Sequence, residues 1–436
     1  MKKLRDHAAG IDIGAKMVYV YVEGLPVTSF LTFTEDILNL RDYLVENKIE
    51  TVAMEATGVY WVIIYEILEE AGLDVWLVDG RQTKQVPGRK TDVKDCQWIQ
   101  QLHSYGLLNR CFVVKADVKE LRSYLRLRED HIRTSSMHIN HMQKALTEMN
   151  IRLKEVINQI HGKSGMAIIE AILKGERDRE VLVNLCHVSI KNTKKDLVAK
   201  SLEGKYTEAG LFALQQAYNA FMFCKQQIQQ CDEQIDRVIN RMGKSGKGQQ
   251  LDGPRKPIRH NKPDVEQLGS NLLNVFDGKD ATMISGITDY TWLQLLSETG
   301  HDLSKWPTEK HFTSWLGLSP GQNNSGKKKG RPRKKKGNPA AGQIFRVIAQ
   351  SLINSKHIAI GAFGRRLRAR KGPSIAIKAM ARKLAEQYYR TMMNGVEFVE
   401  YGIKKYEEQL KQQKMKSFLR LANELNLSVA NNQSDS

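Results

Sequence analysis

The residues from 320 to 338 combine a single hydroxyl side chain with a dense run of positive charge. Ser325 stands in a Gly- and Asn-rich loop, and eight of the ten residues 327–336 are Lys or Arg. Gly326 permits a close backbone approach, and cations beside a hydroxyl stabilise phosphate charge and activate a nucleophile. We therefore hypothesise that Ser325 attacks a nucleic-acid phosphate. A turn serine in a purely electrostatic loop is the alternative.

The basic run itself predicts contacts with a nucleic-acid backbone. Its members are Lys327, Lys328, Lys329, Arg331, Arg333, Lys334, Lys335 and Lys336. The whole chain of 436 residues has a formal net charge of +19, which favours a polyanion as partner. No apolar segment has the length of a membrane span, so nucleic acid is favoured over a membrane. The absence of a signal-peptide pattern and five scattered cysteines predict a reducing, cytoplasmic location.

Four carboxylates in the first hundred residues are candidate ligands for divalent metal ions. Asp12 and Glu55 each lie within an otherwise apolar strand pattern, GIDIG and VAMEATG. A charged side chain there is costly unless it meets a cation, a metal ion or a strand edge. Asp92 and Asp95 are three residues apart at the start of a predicted helix and share one of its faces. A capping role at a turn or a helix start is the structural alternative for each.

The elements that must position these carboxylates are predicted within residues 8–150. Three strand patterns precede the order helix–strand–helix–strand–helix, which is typical of an α/β layer fold of the ribonuclease H type. In that fold the first strand, the fourth strand and the last helix converge at one end of the sheet. Carboxylates gathered there repel one another and need divalent cations, and their hard oxygens favour Mg²⁺ or Mn²⁺ over Zn²⁺.

Residues 121–242 form a second, helical region with two heptad seams. The first seam comprises Leu121, Leu125, Ile132, Ile139, Met142, Leu146, Met149, Leu153, Val156 and Ile160, with gaps at Arg128 and Ser135. The second comprises Leu214, Ala217, Phe221, Cys224, Ile228, Cys231, Ile235, Val238 and Met242. Two long seams separated by other residues predict either an antiparallel hairpin or a dimerising coiled coil.

The remaining chain is predicted to contain three parts. Residues 243–269, which begin Gly-, Lys- and Pro-rich, are predicted to be a flexible linker or insertion. Residues 270–425 are predicted to form a mainly helical domain around the basic loop, and residues 426–436 a disordered tail. With residues 1–120 as the first domain, the fold class is α/β plus α: an N-terminal ribonuclease H fold, a long helical coiled coil and C-terminal helices.

Several motifs, taken in order, resemble one known family. They are GIDIG, AMEATGVYW, VDGRQTKQVPGRKTDVKDCQWIQ, SGITDYTWLQLLSETG, HFTSWLGLSP, NNSGKKKG and AIKAMARKLAEQYYRTMMNG. This set is similar to the transposases of the insertion sequence 110 family, which are relatives of the pilin-gene invertases. The similarity extends from about residue 8 to residue 425, and the ordered set of motifs is highly specific.

The resemblance implies a RuvC-like domain, a coiled coil and a C-terminal transposase domain with a catalytic serine. It implies that Asp12, Glu55, Asp92 and Asp95 bind Mg²⁺ and that Ser325 forms a covalent phosphoserine intermediate with DNA. Family members use a structured bridge RNA that pairs with donor and target DNA, and their dimers join into a tetramer with composite sites. A cytoplasmic, nucleoid-associated location in a bacterium or archaeon follows. Where the family commonly has Ser-Gly-Gly-Lys, this chain has Ser-Gly-Lys-Lys.

Three functional hypotheses follow from these residues. The leading one is an RNA-guided DNA transposase or recombinase that uses both the carboxylates and Ser325. The second is a metal-dependent nuclease of the Holliday-junction type, which needs the carboxylates and forms no covalent intermediate. The third is a basic coiled-coil protein that binds nucleic acid without catalysis, and the carboxylates inside strand patterns argue against it.

Overall fold

The computed structural model describes residues 2–83, 92–244, 255–320, 324–325, 328–329, 339–395 and 403–424. The chain divides into two compact units, Met1–Val113 and Val114–Ser436. The first unit is mixed α/β. Its elements are β1 (Ala8–Ile13), β2 (Met17–Val22), β3 (Thr28–Leu31), α1 (Thr34–Glu46), β4 (Thr51–Glu55), α2 (Trp61–Glu70), β5 (Asp74–Val78), α3 (Gly80–Thr83) and α4 (Asp92–Ser104). The predicted order of strands and helices is confirmed, and the helical turn α3 was not predicted.

The five strands form one sheet in the order β3-β2-β1-β4-β5. The first three strands are antiparallel, whereas β1, β4 and β5 run parallel to one another. One face of the sheet, including Ile11 and Met54, packs against α1 and α2. On the other face Ala53 packs against Ile99 and Leu102 of α4. The alternation of buried and half-buried residues along β2 shows the period of two that pleated strands require.

A glycine in the central strand lets α4 lie directly on the sheet. A Cβ atom added at Gly10 would clash with the backbone oxygen of Cys96 and the backbone nitrogen of Gln100. The C-terminal half of α4 is held by polar contacts, since Gln100 donates to the Ala8 carbonyl at 3.3 Å and the His103 Nε2 lies 2.9 Å from the Thr51 hydroxyl. These contacts fix the position of α4 along β1 and β4.

The second unit is mainly helical. Its elements are α5 (Ala116–Glu148), α6 (Leu153–Val156), α7 (Lys163–Leu173), α8 (Arg179–Asn184), α9 (Val188–Ser201), α10 (Glu208–Gly243), α11 (Leu268–Val275), α12 (Asp289–Thr299), α13 (Glu309–Trp315), β6 (Asn324–Ser325), β7 (Lys328–Lys329), α14 (Pro339–Leu352), α15 (Ala359–Lys371), α16 (Pro373–Asn394) and α17 (Ile403–Glu424). In the part of the chain that the structure describes, no helix is both long and apolar enough to span a membrane.

The two long helices α5 and α10 pack against each other in antiparallel orientation within one chain. Glu120 near the start of α5 pairs with Arg241 near the end of α10, and Met149 after the end of α5 contacts Gly210 at the start of α10. Of the two predicted arrangements, an antiparallel hairpin and a dimerising coiled coil, the chain forms the antiparallel hairpin. Joining of two chains through these helices stays a prediction.

The first seam does not continue as one helix to Ile160. Helix α5 ends at Glu148, and Asn150 has a left-handed backbone with φ of 58°. The Ile151 amide donates to the Leu146 carbonyl at 2.8 Å, the six-to-one bond of a Schellman motif, which asparagine at the left-handed position permits. Residues beyond it, including Leu153 and Ile160, pack with α7, α8 and α9 in a hydrophobic cluster that also contains the adjoining ends of α5 and α10.

The C-terminal helices enclose an aromatic core. Phe312 of α13 stacks on Tyr388 of α16, with centroids 6.3 Å apart, and Phe345 of α14 meets Tyr388 edge-on at 5.7 Å. Part of the predicted flexible segment 243–269 is folded against this unit, because Arg255 forms ion pairs with Asp280 at 2.5 Å and Asp289 at 3.3 Å. Residues 245–254 of that segment and the predicted tail 426–436 lie outside the described residues.

Candidate active site

Asp12 and Glu55 lie next to each other at the C-terminal ends of the central parallel strands β1 and β4, a place called the sheet edge from here on. Strands β1 and β4 are parallel, and Ile11 is registered with Met54, so the next position along places Asp12 beside Glu55. Side chains of registered residues on parallel strands point to the same face. Both carboxylates therefore extend from the sheet face that α4 covers, at the end where β1 and β4 finish.

The carboxylate of Glu55 is held in a defined position by the turn that follows β5. Its Oε2 accepts a hydrogen bond from the Thr83 hydroxyl at 2.8 Å. A Cβ atom added at Gly80 would clash with Glu55 Oε1, so a larger residue would displace the carboxylate from its present position. Thr83 is in turn bound through its carbonyl, which accepts from the Trp98 indole nitrogen at 3.2 Å. This chain of contacts joins the end of β4 to α4.

Asp95 of α4 contributes a third carboxylate to the same edge. Burial raises the pKa of the neighbouring Cys96 to about 12, and the negative charges of Asp12 and Asp95 both add to this rise. Both carboxylates therefore act electrostatically on the Cys96 thiol, which is protonated and neutral at ordinary pH. Asp92 begins α4 one turn before Asp95, and the structure describes its backbone alone.

The structure thus makes Asp12 and Glu55 neighbours, and it places Asp95 on the helix that covers their face of the sheet. Among the described side chains, no three His, Cys, Asp or Glu residues lie close enough to share one metal ion, and Asp92 is not one of those side chains. The donor set consists of carboxylate oxygens, which suit hard cations such as Mg²⁺ and Mn²⁺.

Ser325 lies in a short antiparallel pairing of β6 with β7. Ser325 is registered with Lys328, and Asn324 with Lys329. The backbone thus brings the serine position opposite Lys328, with Gly326 and Lys327 between them in the sequence. The predicted contacts Lys327, Arg331, Arg333, Lys334, Lys335 and Lys336 lie outside the described residues, and Lys328 and Lys329 are described by their backbone.

Sequence analysis missed the residues that support the carboxylates. Gly10 and Gly80 have no functional group, and Thr83 belongs to none of the motifs to which a role was assigned. A glycine inside a strand pattern is a signal for close backbone approach, and it was available at Gly10. No sequence signal connects Gly80 or Thr83 with Glu55, because the three residues meet only when β4 and β5 pair.

Two protein-family models match the chain. One is the transposase model for the DEDD type of IS110 elements, which matches residues 9–151. The other is described as the transposase IS116/IS110/IS902 family, which matches residues 280–363. Together they match about half of the chain, and they include the four predicted metal ligands and Ser325. No curated protein sequence matches the chain.

Proposed function

Because the chain belongs to the IS110 family of transposases, we propose that it moves an insertion sequence by cutting and rejoining DNA at Ser325, with Mg²⁺ bound by Asp12, Glu55, Asp92 and Asp95. The observation that carries this proposal is the sheet edge itself, where Asp12 lies beside Glu55 and Asp95 lies on the covering helix. Neither the α5–α10 hairpin nor nucleic-acid binding requires carboxylates at this edge.

The chemistry proposed for Ser325 is a reversible transfer of a DNA phosphate. The Ser325 Oγ bonds to the phosphorus, one ester bond of the DNA strand breaks, and the departing oxygen takes a proton. A hydroxyl end of a second DNA strand then attacks the phosphoserine, which restores a phosphodiester and releases the serine. A divalent cation bound to the carboxylates supplies positive charge that stabilises the phosphate during transfer.

The carboxylates hold the cation, and three neighbouring groups hold the carboxylates. Gly80 leaves room for the Glu55 carboxylate, and Thr83 donates a hydrogen bond that fixes one of its oxygens. Gly10 lets α4 approach β1 closely enough to bring Asp95 to the same edge. The basic run after Ser325 is proposed to bind the phosphates on either side of the reacting one.

We further propose, from the family resemblance, that a structured bridge RNA reads the donor and target sequences. In such a system base pairing supplies sequence specificity and the protein binds the backbone, which accords with a chain of net charge +19. The active assembly is proposed to be a tetramer formed from two dimers. The α/β unit is proposed to be RuvC-like, which its five-stranded sheet with three parallel neighbours supports.

A search for a covalent protein–DNA adduct tests the proposal. Purified protein is incubated with Mg²⁺, RNA from the element end and labelled DNA that spans the element junction, and the products are separated under denaturing conditions. We expect the wild type to form an adduct and Ser325→Ala to form none. The control variant Ser123→Ala, at an exposed serine on α5, should form the adduct as the wild type does. Cleavage that persists in Ser325→Ala and fails in Asp12→Asn would instead identify a metal-dependent nuclease without a covalent intermediate.

A further inference from the structure

The turn that follows Glu55 carries an exposed, uncharged surface. The residues from 56 to 65 contain no charged side chain. Val59, Tyr60 and Ile63 are 76%, 46% and 48% exposed. Tyr60 already has helical backbone angles at the start of α2, and residues three apart on a helix share a face, so Tyr60 and Ile63 adjoin. Val59 precedes them directly, and we call these three side chains the apolar patch.

A short length of chain ties the apolar patch to the sheet edge. The Thr57 amide donates to the Glu55 carbonyl at 2.9 Å, so the chain turns immediately after β4, and α2 begins at Trp61. Tyr60 is five residues after Glu55, and five residues span at most about 18 Å even when extended. A DNA strand advances about 3.4 Å per nucleotide. The patch is therefore within about five nucleotides of a phosphate bound at the sheet edge.

A second exposed aromatic side chain lies at the same end of the sheet. Phe33 is 70% exposed, and among the Phe, Tyr and Trp residues described in the first unit only Phe33 is more exposed than Tyr60. Phe33 follows β3, whose last residue, Leu31, is registered with Met17. The Met17 carbonyl accepts from the Gly14 amide at 2.9 Å, at the end of β1. The exposed aromatic rings of this unit therefore lie where the strands end at the two carboxylates.

The combination of carboxylates and an apolar patch matches the two parts of a nucleotide. A single exposed apolar residue is ordinary on a protein surface, whereas adjoining ones beside a functional site indicate a binding surface. The family to which the chain belongs consists of transposases, which act on DNA. A metal ion at the carboxylates would hold a phosphate, and an aromatic ring binds the flat face of a base. DNA is therefore the ligand that fits the patch.

We propose that Tyr60, together with Val59 and Ile63, stacks on an unpaired base of the DNA strand whose phosphate is bound at the sheet edge. This inference rests on the proposed function for the position of the reacting phosphate. A base inside a duplex is already stacked, so the Tyr60 ring binds a base that has left its pair. The patch then holds the strand open beside the reacting phosphate. Tyr60 is in this way a positioning residue, because it contacts a base and none of the reacting atoms.

Binding and cross-linking of DNA test the stacking. The full-length protein is titrated with a duplex that spans the element junction and with the same duplex carrying mismatched bases, with Ca²⁺ in place of Mg²⁺. Mismatched bases leave the stack at lower cost, so we expect the wild type to bind the mismatched duplex about tenfold more tightly and Tyr60→Ala to bind both alike. With 5-iododeoxyuridine at the mismatch, light should cross-link the DNA to Tyr60, which mass spectrometry of the peptides identifies.

Two further variants separate stacking from a general loss of apolar surface. Tyr60→Phe keeps the ring and should keep the preference for mismatched DNA. Leu107→Ala removes an apolar side chain that is 52% exposed just after α4, whose C-terminal half is held at the start of β1, the opposite end of the sheet. This control should bind both duplexes as the wild type does. The melting temperature of Tyr60→Ala should stay unchanged, because much of the ring is already in water.

The outcomes distinguish this inference from the function on which it rests. If Tyr60→Ala kept the preference for mismatched DNA while adducts still depended on Ser325, the stacking would be refuted and the proposed function would stand. A changed oligomeric state in Tyr60→Ala would also refute it, since the patch would then be a contact between copies of the chain. A cross-link from 5-iodouridine in the RNA alone would identify RNA as the occupant instead. A wild type that bound neither duplex would refute the proposed function, and this inference with it.

Discussion

The α5–α10 hairpin and the sheet edge both bring charged groups into the protein, and they do so in opposite ways. In the hairpin Arg128 is 1% exposed, and its guanidinium donates to Asp232 at 2.5 Å, to the Tyr290 hydroxyl at 3.1 Å and to the Lys262 carbonyl at 3.3 Å. At the sheet edge carboxylates approach other carboxylates, as Asp12 lies beside Glu55.

This difference separates an ion pair that is complete within the chain from neighbouring carboxylates that a cation from outside can bind. A buried ion pair with all its hydrogen bonds satisfied is complete within the chain, and losing one partner is costly. Carboxylates that repel one another become more stable when a cation binds from outside. Substitution should therefore reduce stability in the hairpin, whereas at the sheet edge it should abolish the response to Mg²⁺ and the activity.

The largest expected effect is the loss of DNA strand transfer in Asp12→Asn. The amide removes one negative charge and one strong metal ligand while it keeps the shape of the side chain. We expect the rise in melting temperature that Mg²⁺ gives to the wild type to disappear in this variant. Calorimetry with and without Mg²⁺ measures this, with the exposed Asp6→Asn as control. An active Asp12→Asn protein would contradict the assignment.

In the hairpin we expect Arg128→Met to lower the free energy of unfolding by about 3–5 kcal/mol, because it leaves Asp232 buried without its partner. Urea denaturation measures the change. The double variant with Asp232→Leu should recover most of the loss, since an apolar pair replaces the ion pair. A double variant as unstable as the single one would show that packing, not charge, dominates at this position.

The far end of α4 provides a third case, in which a titratable group is buried in its neutral form. Burial lowers the pKa of His103 to about 4, and the positive charge of Arg5 lowers it further. The unfolded value is near 6.5, so the unfolded chain binds more protons between these two pH values. Stability should be complete above about pH 6.5 and fall by about 3 kcal/mol as the pH falls to about 4. Denaturation across this range should show a flatter profile for His103→Gln.

A smaller effect is expected at the groups that position Glu55. Gly80→Ala should displace the carboxylate, and Thr83→Val should remove the hydroxyl that binds it. Each should weaken Mg²⁺ affinity by about tenfold, the usual consequence of disturbing a group that orients a metal ligand. The rise in melting temperature with Mg²⁺ concentration measures this affinity. Unchanged values in both variants would show that Glu55 does not bind the metal ion.

The smallest effect is expected on the hairpin surface. Lys144 and Glu148 pair at 3.7 Å one turn apart, with 74% and 59% of their side chains exposed. Lys144→Gln should change the free energy of unfolding by no more than about 0.5 kcal/mol. Comparing Lys144→Gln with Arg128→Met in the same denaturation experiment tests whether burial explains the larger loss of stability at Arg128. Equal losses in the two variants would refute that explanation.

Local patterns were sufficient to predict most of the elements. The strands and helices of the α/β unit except α3, the two long helices and the C-terminal helices α14 and α16 were predicted. The end of α5 was not, although Asn150 carries a helix-stop signal, because the apolar spacing continues past it. Arg128 was noted as a gap in the first seam, and nothing in its own helix indicates Asp232, which is 104 residues away.

For the candidate site the amino-acid sequence by itself determined which groups are present: carboxylates inside apolar strand patterns and a serine before a basic run. Both features can be identified from the sequence because they depend only on residue type and on residues that are close together along the chain. Only the tertiary structure decided that Asp12 lies beside Glu55, that Gly10 brings α4 onto β1, and that Arg128 meets Asp232. Strand register and helix packing decide these approaches, because they join residues that are far apart along the chain.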